Sequence, residues 1–248
     1  MRQTAIAGAD YVLHQAAIPS VQRSVEDPIA SHDVNVNGTL ALLETARQVG
    51  VQRFVFASSS SIYGESEVLP KVETMPPAPI SPYALQKLAG ETYCLLYHKL
   101  YGLPTVALRY FNVFGPRQDP TSEYSAVIPR FIAAVRDRKP PTIYGDGEQT
   151  RDFTFVENVV RANLLACEAT GEAIGVAYNI ACGERISLNQ LVHDIGELEG
   201  AQVSAHHDDP RAGDIKHSMA AIELATANLG YTPGVDLVQG LKRTLEAA

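Results

Sequence analysis

Tyr83 and Lys87 are the residues of this sequence whose types and spacing best suit proton chemistry at an alcohol carbon. Residues four positions apart lie on one face of a helix, so we expect the Lys87 ammonium beside the Tyr83 phenol. A neighbouring positive charge favours the ionised form of an acid, and a phenol of unperturbed pKa about 10 could then act as a base near neutral pH. The same spacing is common in surface pairs, so the pair needs support from its surroundings.

A run of four hydroxyl side chains, Ser58 to Ser61, gives that support. The run follows the apolar residues 54–57, which have the character of a buried strand. Open parallel sheets bind ligands at the carboxyl ends of their strands. The run therefore marks a candidate binding edge, although a polar turn between strand and loop is the simpler alternative.

The elements that must position these residues alternate along the chain. The pattern predicts strands at 54–57, 105–109 and 177–181, the end of a strand at 12–13, and helices at 39–47, 83–100 and 157–168. Such alternation favours a parallel sheet with helices on both faces. Beyond residue 115 it weakens, with a polar loop at 116–124, a helix at 128–136, a short strand at 142–144, a helix at 187–197 and a turn at 210–214. These pieces predict a smaller lobe.

Composition restricts the function classes. The 248 residues carry a net charge of −8, which argues against nucleic acid as the main partner. No apolar run is long enough for a membrane span and no signal peptide is recognisable, so we expect a cytoplasmic protein. Cys94, Cys167 and Cys182 lack metal-ligand spacing, which predicts reduced thiols and no metal site.

Five motifs occur in one order: residues 14–17 (HQAA), residues 35–39 (NVNGT), the hydroxyl run, the Tyr83 and Lys87 pair, and residues 109–117 (RYFNVFGPR). This order resembles the extended short-chain dehydrogenase/reductase family, and within it the NAD-dependent nucleotide-sugar 4-epimerases. The resemblance implies a Rossmann-like parallel sheet, NAD as cofactor and a UDP-sugar as substrate. By the same resemblance, residues 1–115, with returns from 145–185, form the NAD-binding domain, and residues 116–248 form most of the substrate lobe.

The family's opening segment has no counterpart in this sequence. Family members begin with a strand, a glycine-rich turn and a helix that together hold the cofactor pyrophosphate. Here Gly8 is the single glycine before Gly38. We therefore expect an N-terminally truncated Rossmann-like sheet that lacks roughly the first 60 residues of the family pattern, including its central strand.

The resemblance also implies a mechanism. Tyr83 takes the proton from the sugar C4 hydroxyl while hydride passes to NAD, and the 4-keto sugar takes hydride back on its other face. Lys87 lowers the pKa of Tyr83 and bonds the nicotinamide ribose, and Ser59 bonds the reacting oxygen. The related 4,6-dehydratases carry an Asp-Glu pair where this chain has Ser60 and Ser61, so dehydration is disfavoured.

The remaining site residues follow from family position. The residues implied to contact NAD are His14, Ala16, Ala17, Asn35, Ser58, Tyr83, Lys87, Tyr110 and Val113. For His14, a packed histidine at a strand end is the simpler interpretation. The residues implied to contact the UDP-sugar are Ser59, Ser61, Asn112, Arg151, Arg211, Asp214 and Ser218. The small side chain of Ser218 leaves room for an N-acetyl group, which favours UDP-N-acetylglucosamine over UDP-glucose or UDP-galactose.

Three functions remain open on the sequence. The first is a UDP-hexose 4-epimerase. The second is an inactive truncated remnant that serves as a binding or oligomerisation module, and the third is a 4-keto reductase that consumes reduced cofactor. The resemblance further implies a homodimer joined by a four-helix contact between helices at 39–47 and 85–100.

Overall fold

The computed structural model describes residues 6–119, 126–210 and 216–247. The strands of these ranges are β1 Tyr11–His14, β2 Arg53–Ser59, β3 Thr105–Tyr110, β4 Val113–Phe114, β5 Thr142–Tyr144, β6 Thr150–Arg151, β7 Thr154–Phe155, β8 Val176–Ile180, β9 Ile186–Ser187 and β10 His206–Asp208. The helices are α1 Val21–Glu26, α2 Pro28–His32, α3 Gly38–Val49, α4 Pro82–Tyr101, α5 Val127–Arg136, α6 Val156–Glu168, α7 Leu188–Leu198, α8 Glu223–Leu229 and α9 Leu237–Glu246.

The largest sheet of the described residues has four strands in the order β1-β2-β3-β8. All three pairings are parallel, so the four carboxyl ends lie along one edge. Helices lie between consecutive strands of the sheet, as parallel connections require. The predicted α/β fold with a parallel sheet is confirmed.

Alternating side chains of the central strands supply the cores on the two faces of this sheet. Phe54 and Phe56 of β2 join the apolar residues of α3 and α4 on one face. Val55, one position away, joins α6 and α8 on the other face. Because successive strand residues point to opposite faces, a short apolar run is buried on both sides.

Helix α4 has clear local start and stop signals. The Ser81 hydroxyl accepts a hydrogen bond from the backbone N–H of Ala84, Pro82 occupies the first turn, and Gly102 ends the helix at φ +69°. In its middle, Gly90 lies against the ring of Phe56, where an added Cβ would meet the ring at 2.5 Å. This close approach holds α4 tightly on the sheet.

A second apolar core lies under the shorter strands. Phe114, Phe155, Ile128, Leu191 and Leu241 are among its buried residues and bring together α5, α7 and α9. The division into residues 1–115, with returns from 145–185, and residues 116–248 stays a prediction.

Several elements were not predicted. Residues 21–37 form α1, α2 and a π-helical turn, Asp33–Asn37, that runs directly into α3. A 3₁₀ turn, Ser60–Tyr63, follows β2. Near the end of the chain, α8 and α9 were also missed. Most of the predicted turn at 210–214 lies outside the described residues.

Candidate active site

A cavity of about 660 Å³ opens at the carboxyl edge of the large sheet. Its walls come from the ends of β2 and β3, the first turns of α4, and the segments around β6 and Ser218. The predicted site residues that line it are Ala17, Ser58, Ser59, Ser61, Tyr83, Lys87, Tyr110, Asn112, Val113, Arg151 and Ser218. A cavity of this size suits a small-molecule ligand.

Tyr83 and Lys87 both face this cavity from α4. The Lys87 ammonium donates a hydrogen bond to the carbonyl of Ala57 at 2.7 Å and lies 5.9 Å from the centre of the Tyr83 ring. Burial lowers the pKa of Lys87 to about 8. The spacing on the helix therefore brings the two side chains together as predicted, with the cation held by backbone.

The pKa of Tyr83 departs from the expectation drawn from its neighbour. Burial raises the pKa of Tyr83, and a hydrogen bond with Ser59 partly opposes that rise. Lys87 does not produce the expected lowering, because its ammonium approaches the ring face and bonds the Ala57 carbonyl. The phenol is therefore protonated at neutral pH.

The serines of the hydroxyl run form different hydrogen bonds. Ser58 donates to the buried carboxylate of Glu91 at 2.6 Å. Ser59 accepts hydrogen bonds from the backbone N–H of Ser61 at 3.2 Å and from its hydroxyl at 2.9 Å, and so caps the 3₁₀ turn. Ser59 consequently holds a fixed position next to Tyr83.

A buried ion pair lies behind the serines. Arg109 of β3 contacts Glu91 of α4 through two nitrogens, at 2.6 Å and 3.0 Å. Its guanidinium also donates to the hydroxyl of Tyr63 at 2.7 Å. Burial lowers the pKa of Arg109, but hydrogen bonds and the charge of Glu91 outweigh burial and raise it. The pair ties α4 to the strand beside it.

Two of the predicted cofactor contacts lie behind the cavity wall. His14 bonds Thr39 at 2.8 Å, and burial followed by the charge of Lys87 lowers its pKa to about 4, so the imidazole is neutral. Asn35 accepts from the Ile18 N–H at 2.8 Å and donates to Gln86 of α4 at 2.8 Å. Asn35 holds the segment after β1 in place, and His14 joins the end of β1 to α3.

Ala16 is exposed and does not line the cavity. Gln15, its neighbour, does line it and donates to the Tyr110 hydroxyl at 3.1 Å. The resemblance included Gln15 in the HQAA motif and implied no role for its side chain.

The opposite wall is built from residues far apart in the sequence. Asn112 adopts φ +30°, a strained conformation for a residue other than glycine, and donates to the backbone carbonyl of Asp152 at 3.0 Å. Arg151 donates to the carbonyl of Lys216 at 3.3 Å, and the Ser218 N–H donates to the Thr150 carbonyl at 3.0 Å. These contacts place Arg151 and Ser218 on one wall. Arg211 and Asp214 lie outside the described residues.

Asp152 was not predicted as a site residue, yet it organises this wall. Its buried carboxylate accepts hydrogen bonds from the backbone N–H groups of Cys182, Gly183 and Ala220. Burial raises its pKa to about 6 even though these bonds favour the charged form. The adjacent position of Arg151 in the sequence was its available signal.

Further cavity residues escaped the sequence reasoning, namely Pro19, Lys71, Gln118 and Asp119. Lys71 carried no motif signal because its neighbours across the cavity wall lie near the C-terminus. Across residues 6–119, 126–210 and 216–247, no helix is both long and apolar enough to cross a membrane. The same ranges hold no cluster of three or more side chains arranged to bind a metal.

Comparison with known proteins shows the family and the fold of this chain. The model of the NAD dependent epimerase/dehydratase family matches residues 2–181. A putative UDP-glucose 4-epimerase of Methanocaldococcus jannaschii is 42% identical over 237 residues, which cover 95% of this chain and 76% of the relative. A UDP-N-acetylglucosamine 4-epimerase from Methanobrevibacter ruminantium M1, solved with UDP-N-acetylmuramic acid, superposes with a TM-score of 0.95 at 39% identity, over 99% of this chain and 78% of that one. The UDP-glucose 4-epimerase of Thermus thermophilus, solved with NAD, gives a TM-score of 0.89 at 37% identity, over 99% and 80% of the two chains.

Proposed function

The chain belongs to the NAD-dependent epimerase/dehydratase family, and we propose that it is a UDP-hexose 4-epimerase that acts on UDP-N-acetylglucosamine or UDP-glucose. One observation carries the proposal. Ser59, Tyr83 and Lys87 meet at one cavity on the carboxyl edge of a parallel sheet, where such folds bind ligands. The three groups are those that proton transfer at a carbinol requires.

NAD is the cofactor of this family, and the cavity fits part of it. Ser58, Lys87, Tyr110 and Val113 would hold its nicotinamide and the adjoining ribose, since all four line the cavity beside Tyr83. Between residues 6 and 37 of the described chain, Gly8 is the single glycine and lies before β1, so these residues form no glycine-rich cradle for a pyrophosphate. When bound, NAD supplies the acceptor and donor of hydride for C4.

Tyr83 is placed to move the proton. It takes the proton of the C4 hydroxyl as that carbon is oxidised, and returns it when the carbon is reduced from the opposite face. Because burial raises the pKa of the phenol, Tyr83 can accept the proton as a base only when positive charge lies close to its oxygen. The Lys87 ammonium lies 5.9 Å from the ring centre, and to supply this charge it must turn from the Ala57 carbonyl towards the phenol oxygen.

The other residues bind and orient the sugar nucleotide. Ser59 donates to the reacting oxygen, and its own position is fixed by the two hydrogen bonds from Ser61. Asn112 and Arg151 bind the diphosphate, for which arginine's planar fork is well suited. Ser218, with its small side chain on the same wall, leaves room for an N-acetyl group and supports the choice of UDP-N-acetylglucosamine.

The proposal extends to oligomeric state. Leu85, Leu96 and Leu100 of α4 are exposed and share one side of the helix. An exposed apolar stripe of this kind supports a homodimer in which α3 and α4 of two copies form a four-helix contact. Light scattering of the wild type and of Leu96→Asp tests it, with a monomeric mass for the variant alone as the expected result.

The test of function is an epimerisation assay followed by NMR of the sugar ring. The purified chain is incubated with NAD and either UDP-N-acetylglucosamine or UDP-glucose, and we expect conversion to the galacto configuration without net change in NADH. In a separate incubation with NADH and a UDP-4-keto-hexose, consumption of NADH in step with the hexose formed would identify a 4-keto reductase.

A binding titration distinguishes the inactive alternative. The chain contains no tryptophan, so the emission of NADH itself reports binding. We expect saturable binding that UDP-N-acetylglucosamine strengthens. Binding of the UDP-sugar without turnover, in the presence of saturating NAD, would instead support a non-catalytic binding module.

A further inference from the structure

Lys71 is a buried cation that the proposed mechanism does not use. It follows the loop after the 3₁₀ turn, is 2% exposed and lines the same cavity as Tyr83. Its ammonium donates to the backbone carbonyl of Ser66, and burial lowers its pKa. No carboxylate of the described residues lies within ion-pair distance of it. The cavity wall therefore holds a positive charge without a described counter-charge.

The backbone places Lys71 beside Ser218. Lys71 forms a parallel bridge with Ala220, in which its N–H donates to the Met219 carbonyl at 2.8 Å and its carbonyl accepts from Ala221 at 2.9 Å. In extended chains, bridged residues and those two positions away point to the same side. Lys71, Ala220 and Ser218 thus share one side, in agreement with the presence of Lys71 and Ser218 in the cavity wall.

Both backbone segments of this bridge are anchored from behind. The amide of Asn179 donates to the Lys71 carbonyl at 2.9 Å, and the Asp152 carboxylate accepts from the Ala220 N–H at 3.2 Å. Asn179 in turn accepts from the Tyr63 hydroxyl, which is bonded to Arg109. The base of the Lys71 side chain is therefore held in place before a ligand arrives, which reduces the entropy cost of a contact.

The chemistry of the ammonium indicates which ligand group it would recognise. An ammonium has three N–H donors, and Ser66 accepts one of them. A buried cation is costly unless it is paired, so an electron-rich oxygen at the cavity is favoured. Amide carbonyl and carboxylate oxygens are better acceptors for a cation than a hydroxyl, and charge-assisted bonds are the stronger ones.

We propose that Lys71 is a specificity-determining residue that donates a hydrogen bond to a carbonyl-type oxygen carried by the hexose. Two substituents present that oxygen, the acetamido group of an N-acetylhexosamine and the carboxylate of a hexuronate. The inference rests on the proposed function, because it assigns a contact to the hexose of the UDP-sugar. It predicts discrimination against plain hexoses, which present hydroxyls alone.

The experiment compares wild type with Lys71→Met, Lys71→Arg and Lys139→Met. Lys139→Met is the matched control, because that lysine is exposed and paired with Asp137 away from the cavity. With NAD present, kcat/KM is measured for UDP-N-acetylglucosamine, UDP-glucuronate and UDP-glucose. We expect Lys71→Met to lose about tenfold or more on at least one of the first two and less than about threefold on UDP-glucose. Lys71→Arg retains the preference, and Lys139→Met matches wild type.

The outcomes separate this inference from its rival. If Lys71 serves only to close the loop through Ser66, Lys71→Met lowers kcat/KM equally for all three substrates. Equal loss, or no loss, overturns the inference.

Failure of the proposed function gives a different pattern. In that case wild type turns over none of the three UDP-sugars, and calorimetric binding of the same three ligands replaces kcat/KM. Selective weakening in Lys71→Met would uphold the contact in a protein that is not an epimerase. Absence of binding of all three by wild type would overturn both proposals.

Discussion

Helix α4 carries two polar regions that lie one turn apart. In one, a buried cation bonds a neutral carbonyl, and in the other a buried cation pairs with a carboxylate. At the cavity, Lys87 is 5% exposed, its ammonium bonds a backbone carbonyl, and burial lowers its pKa to about 8. One turn further on, Glu91 pairs with Arg109 in the interior, and the pKa of that arginine is raised. In the first region, no carboxylate of the described residues pairs with the buried cation. In the second region, the carboxylate of Glu91 balances the charge of Arg109.

The difference separates a group that can act on a ligand from groups that hold structure. A cation bonded to a neutral carbonyl keeps most of its electric field available, and His14 already responds to it. A cation paired with a carboxylate presents little field, but its geometry is fixed by several hydrogen bonds. The ion pair of Glu91 thus fixes the position of α4, and the fixed helix positions Lys87 at the cavity.

The largest effect is expected at the cavity, from Tyr83→Phe. Loss of the phenol removes the proton acceptor, so we expect kcat for epimerisation to fall about 10⁴-fold, or about 5 kcal/mol. The urea midpoint should change little, because the ring remains. The NMR assay of sugar configuration checks the fall in kcat, and chemical denaturation checks the urea midpoint. A variant that retains a tenth of wild-type activity would show that another group carries the proton.

The second effect tests the compensated region through stability. Glu91→Gln leaves Arg109 buried without its counter-charge, and we expect a loss of about 3 to 5 kcal/mol in the free energy of unfolding. The double variant Glu91→Leu with Arg109→Met, which removes both charges, should recover most of that loss. Urea unfolding of the three proteins is the measurement. If the single and double variants are equally unstable, packing rather than charge holds this region together.

The third effect concerns the pKa of His14, which burial and the charge of Lys87 lower. The folded pKa of His14 is about 4, below the ordinary value of 6.5, so the unfolded chain binds the extra proton more readily. The stabilising contribution of neutral His14 is present above pH 6.5 and is lost as pH falls towards 4, by about 3 kcal/mol in all.

Urea unfolding at pH 7.5 and pH 4.5 gives the test. His14→Gln should lose less stability between the two pH values than wild type, since other titrating groups are shared. Lys87→Met should also reduce the difference in stability between the two pH values, because the charge of Lys87 is the second cause of the lowered pKa of His14. Identical pH dependence in wild type and His14→Gln would mean that the imidazole does not titrate in this window.

The contrast also shows what sequence reasoning could reach. The bounds of α4 and the meeting of Tyr83 with Lys87 were predictable, because Ser81, Pro82, Gly102 and a spacing of four act locally. Burial was not predictable in the same way. Helical spacing indicated proximity to Lys87, but the depth of the phenol decides the sign of its pKa shift, and that depth depends on the whole fold.

Contacts between distant segments lay beyond the local signals. The pairing of Glu91 with Arg109 requires α4 to pack on β3, and the bridge between Lys71 and Ala220 joins segments about 150 residues apart in the sequence. The short helices α1 and α2, of six and five residues, are too brief to show an amphipathic period. Asn35 likewise bonds Ile18 and Gln86, which lie 17 and 51 positions away along the chain.

The smallest effect concerns Ser59, which stands between the two regions. Ser59→Ala removes one donor to the reacting oxygen while Tyr83 remains, so we expect kcat to fall about 10- to 100-fold, or about 1.4 to 2.7 kcal/mol. Ser58→Ala is the matched comparison, because that hydroxyl donates to Glu91. We expect this substitution to lower stability and to raise the KM for NAD, with a smaller fall in kcat than Ser59→Ala. Steady-state kinetics and urea unfolding of both variants separate the effect on kcat from the effect on stability. If Ser58→Ala proves the more damaging to kcat at unchanged stability, the buried ion pair reaches the reaction directly, and the separation of the two regions fails.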